Sequence, residues 1–352
     1  MPFELGIYHF GELTASPVTG RSASPAHRLR ELIEQARLAD EVGLSVFAVG
    51  EHHRHDFVVS APAVVLAAMA EQTSRITLSS AVTVLSSDDP VRVAEQFGTL
   101  DLISGGRAEI IAGRGSYTES FPLFGYDLGA YHDLFAEKIE LLVKIQREDP
   151  VTWTGRLRPP LKDAEIAPRP ARPIPIWVGV GGTPASVIRA ARLGLPMALG
   201  ILGGAVDGFK PFVEAYRQAG EEYGTNPDEL AVSVNSPGFV ARTSQAARDI
   251  SYPYFAAGMM DNFHQRGRGV TMPRRAYDAA SSPGGALFVG SPQEIIDKIL
   301  RQHEAFAHRR ILVQLGYGNV PQRETLEAIE LMGTEILPGL RRELGQHEGI
   351  SA

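Results

Sequence analysis

The stretch of sequence that decides the fold runs from residue 75 to residue 117 and reads RITLSSAVTVLSSDDPVRVAEQFGTLDLISGGRAEIIAGRGSY. The apolar, β-branched runs at 76–85 and 108–112 predict two strands, and the segment 90–103 between them has the apolar period of a helix. Parallel strands joined by a crossover helix are the unit of α/β folds, whose functional groups lie at the carboxyl ends of the strands. Both strands here end in polar, glycine-rich sequence, so we expect the chemistry at those ends.

The same alternation of strands and helices continues along the rest of the chain. Further apolar runs predict strands at 3–8, 44–49, 174–180, 196–199, 230–240 and 310–315. Eight strands alternating with helices predict a (β/α)8 TIM barrel, as one domain over residues 1–345 with a frayed tail at 346–352. An open doubly wound sheet is the alternative fold, but no Gly-rich fingerprint follows the first strand.

Two segments depart from this alternation. The Pro-rich segment 148–173 contains the strand-like sequence VTW and predicts a short hairpin or an irregular flap. The segment 261–285 is polar and rich in Gly, Arg and Pro, which is long for a loop in a compact domain. It therefore predicts a functional lid, an inserted module or disorder.

Composition limits the classes of function. The chain has 352 residues, a net charge of −7 and no cysteine. The charge and the lack of a long basic run argue against nucleic-acid binding, and the absence of cysteine excludes disulfides and Cys-ligated metals. The sequence shows neither an export signal nor an apolar run long enough to span a membrane, so we expect a cytoplasmic protein.

The densest group of titratable residues is EHHRHD at 51–56, directly after a predicted strand. One interpretation is that an imidazole faces the barrel mouth as an acid–base or hydrogen-bonding group. A second is a metal site built on His53 and His55, with His9 or His132 supplying a further ligand. The third is that these residues only pack in the loop, and their spacing does not decide between the three.

Two segments have the features of anion sites. In GRG at 113–115, the planar fork of Arg114 suits a phosphate or carboxylate, and glycine on both sides allows close approach. In GGTPAS at 181–186, Thr183 followed by proline predicts a helix start, whose unpaired N–H groups and dipole attract anions. The hydroxyls of Thr183 and Ser186 would add donors. Each segment alone also fits a purely structural role, but neighbouring strands would join both into one phosphate pocket.

The pair Ser80–Ala81 lies inside the predicted third strand among apolar residues. Small residues there would let a flat ligand approach the backbone, or permit a bulge. A tightly packed strand without any ligand is the alternative.

At these residues the chain resembles the bacterial luciferase-like flavin monooxygenases. The resemblance covers nearly the whole sequence, and its specificity comes from the order and spacing of several motifs rather than from any one. The motifs are GLSVFAVGEHH at 43–53, PVRVAEQ at 90–96, LDLISGGR at 100–107, GRG at 113–115, GGTPAS at 181–186, LGLP at 193–196 and TEILPGLR at 334–341.

The resemblance implies a (β/α)8 barrel that binds reduced FMN at the carboxyl ends of its strands. It implies that Arg114, Gly182, Thr183 and Ser186 hold the FMN phosphate. His52 would be the active-site imidazole beside the flavin.

The resemblance also implies features around the flavin ring. The Ser80–Ala81 bond would match a non-proline cis peptide behind the ring, and Tyr117 would lie near the flavin entrance. The segment 261–285 would correspond to a mobile loop that excludes water when closed. Three positions depart from the family pattern: Ser86 and Asp89 replace a frequent proline and histidine, and Gly113 stands where luciferase has a reactive cysteine. These departures argue against light emission and leave the substrate open.

The function implied is an FMN-dependent, two-component monooxygenase. A separate flavin reductase would supply reduced FMN, O₂ and a small organic molecule would be the substrates, and the protein would be a homodimer. The nearest alternative is an F420-dependent dehydrogenase of the same superfamily. A metal-dependent barrel hydrolase and a flavin-binding protein without catalytic activity are the remaining alternatives.

Overall fold

The computed structural model describes residues 2–265 and 271–345. Eight parallel strands close into a barrel in the order β1-β2-β3-β4-β7-β8-β9-β11, with β11 pairing back to β1. The predicted TIM barrel is therefore confirmed. The strands are β1 (Glu4–His9), β2 (Val46–Val49), β3 (Thr77–Val84), β4 (Ala108–Gly113), β5 (Val151–Trp153), β6 (Leu161–Ala164), β7 (Ile176–Val180), β8 (Met197–Gly200), β9 (Val232–Val240), β10 (Phe288–Gly290) and β11 (Arg310–Gln314).

Helices form the outer layer, and several begin where the sequence predicts them. Ser24 caps the first helix, with proline at its first position, and Ser291 caps the tenth in the same way. The helices are α1 (Pro25–Glu41), α2 (Pro62–Ala70), α3 (Pro90–Ser104), α4 (Ser120–Leu123), α5 (Tyr131–Arg147), α6 (Pro184–Arg192), α7 (Lys210–Glu222), α8 (Ser244–Gln265), α9 (Arg274–Ala280), α10 (Pro292–Phe306), α11 (Gln322–Leu331) and α12 (Leu337–Glu343). None of these helices is both long enough and apolar enough to cross a membrane.

The two irregular segments have different outcomes. In the Pro-rich segment, β5 and β6 pair antiparallel, which confirms the predicted hairpin. Between 261 and 285, α8 extends to Gln265 and α9 follows, with Tyr277 fully buried, so much of this segment is helical rather than a loop. Its central part, 266–270, and the tail at 346–352 lie outside the described residues, and the predicted lid motion stays a prediction.

A buried ion-pair network fills the amino end of the barrel. Arg310 donates to Glu109 and to Glu4, each at 2.7 Å, and its guanidinium lies 4.3 Å from the ring of Trp177. Burial opposes the charge on Arg310, but the carboxylates of Glu109 and Glu4 more than offset it and raise the pKa of Arg310. This end of the barrel thus holds paired charges, beside a cavity of about 560 Å³ whose lining includes Glu4, Glu109 and Arg310.

Candidate active site

A cavity of about 310 Å³ opens at the carboxyl ends of the barrel strands. This is the end at which α/β barrels carry their functional groups, because the loops that follow the strands converge there. Residues from seven of the barrel strands and the loops that follow them form its wall, among them Tyr8, Phe10, Glu51, His52, Ala81, Val82, Val84, Gly113, Arg114, Gly179, Val180, Thr183, Gly200 and Asn235.

Val82 closes part of the cavity wall. A Cβ built on Gly113 would lie 2.6 Å from Cγ2 of Val82, and one built on Gly179 would lie 3.0 Å from its Cγ1. Glycine at both positions therefore gives the Val82 side chain the space it occupies. This contact also gives a structural reason why no side chain stands at position 113.

The non-proline cis peptide bond lies one residue later in the chain than predicted. The non-proline cis bond joins Ala81 to Val82, not Ser80 to Ala81. The pairing of β3 with β4 shifts register between Ala81 and Thr83, so the strand is irregular at this bond. Alternation of the strand turns Ala81 into the barrel interior, whereas Ser80 is fully buried and its hydroxyl accepts from Thr83 at 2.8 Å. The Ser80 side chain is therefore not part of the cavity wall.

The two predicted anion segments meet at the cavity. β4 and β7 are neighbours in the barrel, because the β5–β6 hairpin lies outside it. Arg114, directly after β4, donates to the Thr183 hydroxyl across 3.2 Å. Thr183 is the N-cap residue of α6, yet its side chain makes no capping hydrogen bond. Its hydroxyl is thus directed to Arg114 and the cavity rather than to its own helix.

The surroundings of Arg114 are rich in positive charge. Arg114 also lies 2.7 Å from Nδ1 of His132, which was a candidate metal ligand in the sequence. Burial lowers the pKa of Arg189, a residue of α6, and the charges of Arg114 and Arg192 lower it further. An anion at this position would relieve that repulsion, and the N-terminal dipole of α6 adds to the attraction.

Gly182 and Ser186 occupy different positions from Thr183. Gly182 has φ +90°, a conformation that favours glycine, and it shapes the turn before α6 without forming the cavity wall. Ser186 is 1% exposed, and its N–H donates to the carbonyl of Thr183 at 2.9 Å. Neither Gly182 nor Ser186 lies in the cavity wall. Of the segment 181–186, the wall includes Gly181 and Thr183.

His52 lies in the cavity wall among aromatic rings. Its ring stacks on Phe57 with centroids 4.2 Å apart, and it meets the rings of Phe10 and Tyr117 edge-on, each at 4.9 Å. Tyr117 is therefore a neighbour of the imidazole, although it does not itself form the wall. The packing fixes the plane of the His52 ring at the cavity.

The other residues of the 51–56 segment have other partners. Nε2 of His53 lies 2.8 Å from Glu51, and the second carboxylate oxygen of Glu51 accepts from the N–H of Val84 at 2.9 Å. His55 is exposed. Within the described ranges no three His, Asp or Glu side chains are grouped as metal ligands would be, so the structure does not support the metal alternative.

Several residues of the site carry no signal in the sequence. Val82, Tyr131 and Asn235 lie in the cavity wall, and Glu119 approaches His52 from the loop after β4. Their roles depend on contacts between segments that are distant in the chain. The loop after β4 contains Glu119 near aromatic residues, but its position in the sequence does not show that it lies next to His52.

Comparison with known proteins identifies relatives of the chain. The family model described as "Luciferase-like monooxygenase" matches residues 3–309. The chain is 24% identical to the alkanal monooxygenase alpha chain of Photorhabdus luminescens, over 90% of this chain and 92% of that one. It is also 31% identical to the F420-dependent glucose-6-phosphate dehydrogenase of Amycolatopsis mediterranei, over 44% of this chain and 48% of the relative.

Solved structures share the fold. The oxygenating constituent of 3,6-diketocamphane monooxygenase from Pseudomonas putida, solved with FMN, superposes with a TM-score of 0.76 at 22% identity, covering 96% of this chain and 99% of that one. An F420-dependent secondary alcohol dehydrogenase superposes with a TM-score of 0.73 at 19% identity, covering 97% of this chain and 100% of that one. Both likenesses concern the fold, and the two structures contain different cofactors, FMN in the first and an F420 adduct in the second.

Proposed function

Because the chain belongs to the luciferase-like monooxygenase family of oxidoreductases, we propose that it is an FMN-dependent, two-component monooxygenase. The family includes FMN- and F420-dependent members, and FMN is our choice for this chain. A separate reductase would supply the reduced flavin, and O₂ and a small organic molecule would be the substrates. The observation that carries the proposal is one cavity whose wall contains Arg114, Thr183 and the imidazole of His52.

The residues at the anion end fit a terminal phosphate. The Arg114 guanidinium and the Thr183 hydroxyl are in contact, and Thr183 stands at the N-terminus of α6. Arginine and a helix N-terminus are the groups that proteins commonly use to hold phosphate. These groups would hold the phosphate of FMN.

The rest of the wall fits a flat ring. Ala81 and Gly200 place no large side chain in this part of the wall, and Val82 fills the space over Gly113 and Gly179. Small residues allow a planar ligand to approach the strand backbone closely. When bound, reduced FMN would supply the electrons for the activation of O₂.

His52 would hold or transfer a proton beside the ring. Its ring plane is fixed by Phe10, Phe57 and Tyr117, which also limit the access of water to it. An imidazole is suited to proton transfer near neutral pH, and a fixed orientation improves that transfer.

The test is anaerobic titration of the purified protein with reduced FMN, followed by admission of oxygen while the absorbance is recorded. Reduced FMN should bind, and Arg114→Ala should weaken its binding about 10- to 100-fold, the loss expected for a hydrogen bond between charged groups. Riboflavin lacks the phosphate, so its affinity should be the same in both proteins.

Arg192→Ala is the matched control. Arg192 is the last residue of α6, at the opposite end of this helix from Thr183, and it pairs with Glu140 on the surface at 2.5 Å, outside the cavity wall. Its replacement should leave FMN affinity within a few-fold of wild type. An equal loss of FMN and riboflavin binding in Arg114→Ala would contradict the assignment of Arg114 to the phosphate.

F420-dependent hydride transfer is the second candidate. A relative with 31% identity is named as an F420-dependent dehydrogenase, and the match covers less than half of either chain. Titration with F420 in parallel with FMN separates the two candidates. Tight binding of F420 together with no binding of reduced FMN would select the dehydrogenase and overturn the monooxygenase proposal.

A further inference from the structure

One ring nitrogen of His52 lacks a hydrogen-bond partner. Nδ1 is buried, and no group in the described residues lies within hydrogen-bond distance of it. The residue is 6% exposed, and the ring of Phe57, which stacks on it, offers no acceptor in place of water. A buried donor or acceptor without a partner costs about 1–3 kcal/mol, so such atoms usually have a partner close by.

Glu119 is the nearest carboxylate to this nitrogen. Its Oε1 lies 3.8 Å from Nδ1 of His52, slightly beyond hydrogen-bond length, and its side chain is 22% exposed. Glu119 stands directly before α4, in the loop that follows β4 and Arg114. Burial raises the pKa of the Glu119 carboxyl, but the nearby His52 ring and backbone N–H groups more than offset burial and lower it. The carboxylate is therefore in its charged form near neutral pH.

The other charged groups around His52 already have partners. The carboxylate of Glu51 binds His53 and the N–H of Val84. The guanidinium of Arg54, which lies over the rings of Phe57 and Tyr117, is paired with Asp56. Glu119 is thus the charged group placed to act on Nδ1 of His52.

We propose that Glu119 is a positioning residue that keeps a proton on Nδ1 of His52 and so directs Nε2 to the cavity. With Nδ1–H facing a carboxylate, the neutral ring presents the Nε2 lone pair to the cavity and accepts a proton there. The protonated ring is stabilised by the Glu119 charge and presents an Nε2–H donor instead. The catalytic meaning of this arrangement rests on the proposed function, whereas the pairing itself does not.

The experiment is ¹⁵N NMR of the histidine side chains at alkaline pH, without cofactor or substrate, with the His52 signal assigned from its loss in His52→Gln. In wild type, the ¹⁵N shifts should report a proton on Nδ1 of His52. In Glu119→Gln, the proton should no longer be confined to Nδ1, because a neutral amide is a weaker acceptor than a carboxylate, and the ¹⁵N shifts of the two ring nitrogens should move toward each other. Circular dichroism checks that the variant is folded.

Glu51→Gln is the matched control, because Glu51 is the carboxylate paired with the neighbouring imidazole. It should leave the proton of His52 on Nδ1. A proton on Nε2 of His52 in the wild type, or ¹⁵N shifts of His52 that are the same in Glu119→Gln as in wild type, would overturn the proposal. The wild-type tautomer decides the question even if a variant does not fold. Since no flavin is present, a failure here is distinct from a failure of FMN binding.

Discussion

Gly113→Ala tests the contact that closes the cavity wall. A Cβ at position 113 would lie 2.6 Å from Cγ2, 2.9 Å from Cβ and 3.0 Å from Cγ1 of Val82. These distances are well inside the roughly 3.5–4.0 Å at which carbon atoms attract each other. Both residues belong to paired strands, β3 and β4, so neither backbone can move away without disturbing the pairing. We expect a loss of about 1–3 kcal/mol in the free energy of unfolding, the usual cost of overpacking.

A double-mutant cycle separates this clash from a general effect of alanine. Val82→Ala removes Cγ1 and Cγ2 but keeps Cβ, so it should relieve part of the clash and not all of it. The free energies of unfolding of wild type, both single variants and the double variant are measured by urea denaturation. The double variant should be more stable than the sum of the single effects predicts, by about 0.5–3 kcal/mol.

Gly181→Ala is the control for the backbone effect of alanine. Gly181 also lies in the cavity wall, but a Cβ there would meet no atom within 4 Å. Its replacement should leave stability unchanged or raise it slightly. Two results would contradict this prediction: a Gly113→Ala variant as stable as wild type, or additive effects of Gly113→Ala and Val82→Ala on the free energy of unfolding. Either result would show that Val82 does not exclude a side chain at position 113.

Three further predictions concern other parts of the molecule. His52→Ala should retain FMN binding and lose most turnover, whereas unchanged turnover would reject His52 as the active-site imidazole. Burial lowers the pKa of Lys298 to about 7 from 10.5, so the unfolded chain binds the extra proton between these values. The free energy of unfolding of wild type should therefore increase relative to that of Lys298→Met as the pH rises from about 7 to 10, by at most about 1.4 kcal/mol per pH unit. Urea denaturation measures both free energies, and a difference between them that does not change with pH would contradict this prediction. Glu109→Ala should lower the free energy of unfolding by about 3–5 kcal/mol, because the buried charge of Arg310 then has only Glu4 as a partner. Thermal denaturation measures this change, and a decrease below about 1 kcal/mol would show that Glu4 alone is a sufficient partner for Arg310.

The family resemblance and the local pattern together anticipated much of the site. Arg114, Thr183, His52 and Ala81 lie in one cavity wall, as a shared pocket requires. The same reasoning could not tell which way each neighbouring side chain faces. Ser80 and Ser186 are turned away from the cavity, and the cis bond follows Ala81 rather than preceding it. A shift of one residue in a strand changes which face a side chain occupies, and the sequence carries little information on that shift.

The sequence by itself determined the order and type of the elements. The apolar periods of strands and helices, and the Ser–Pro and Thr–Pro helix starts, are properties of a few adjacent residues, so they can be read without the fold. Only the tertiary structure decided which distant groups meet: Arg114 with Thr183, Val82 with Gly113, and Glu119 with His52. These contacts depend on which strands are neighbours in the closed barrel and on where each loop passes over its mouth. Neither is encoded in the local propensities that define the strands and helices.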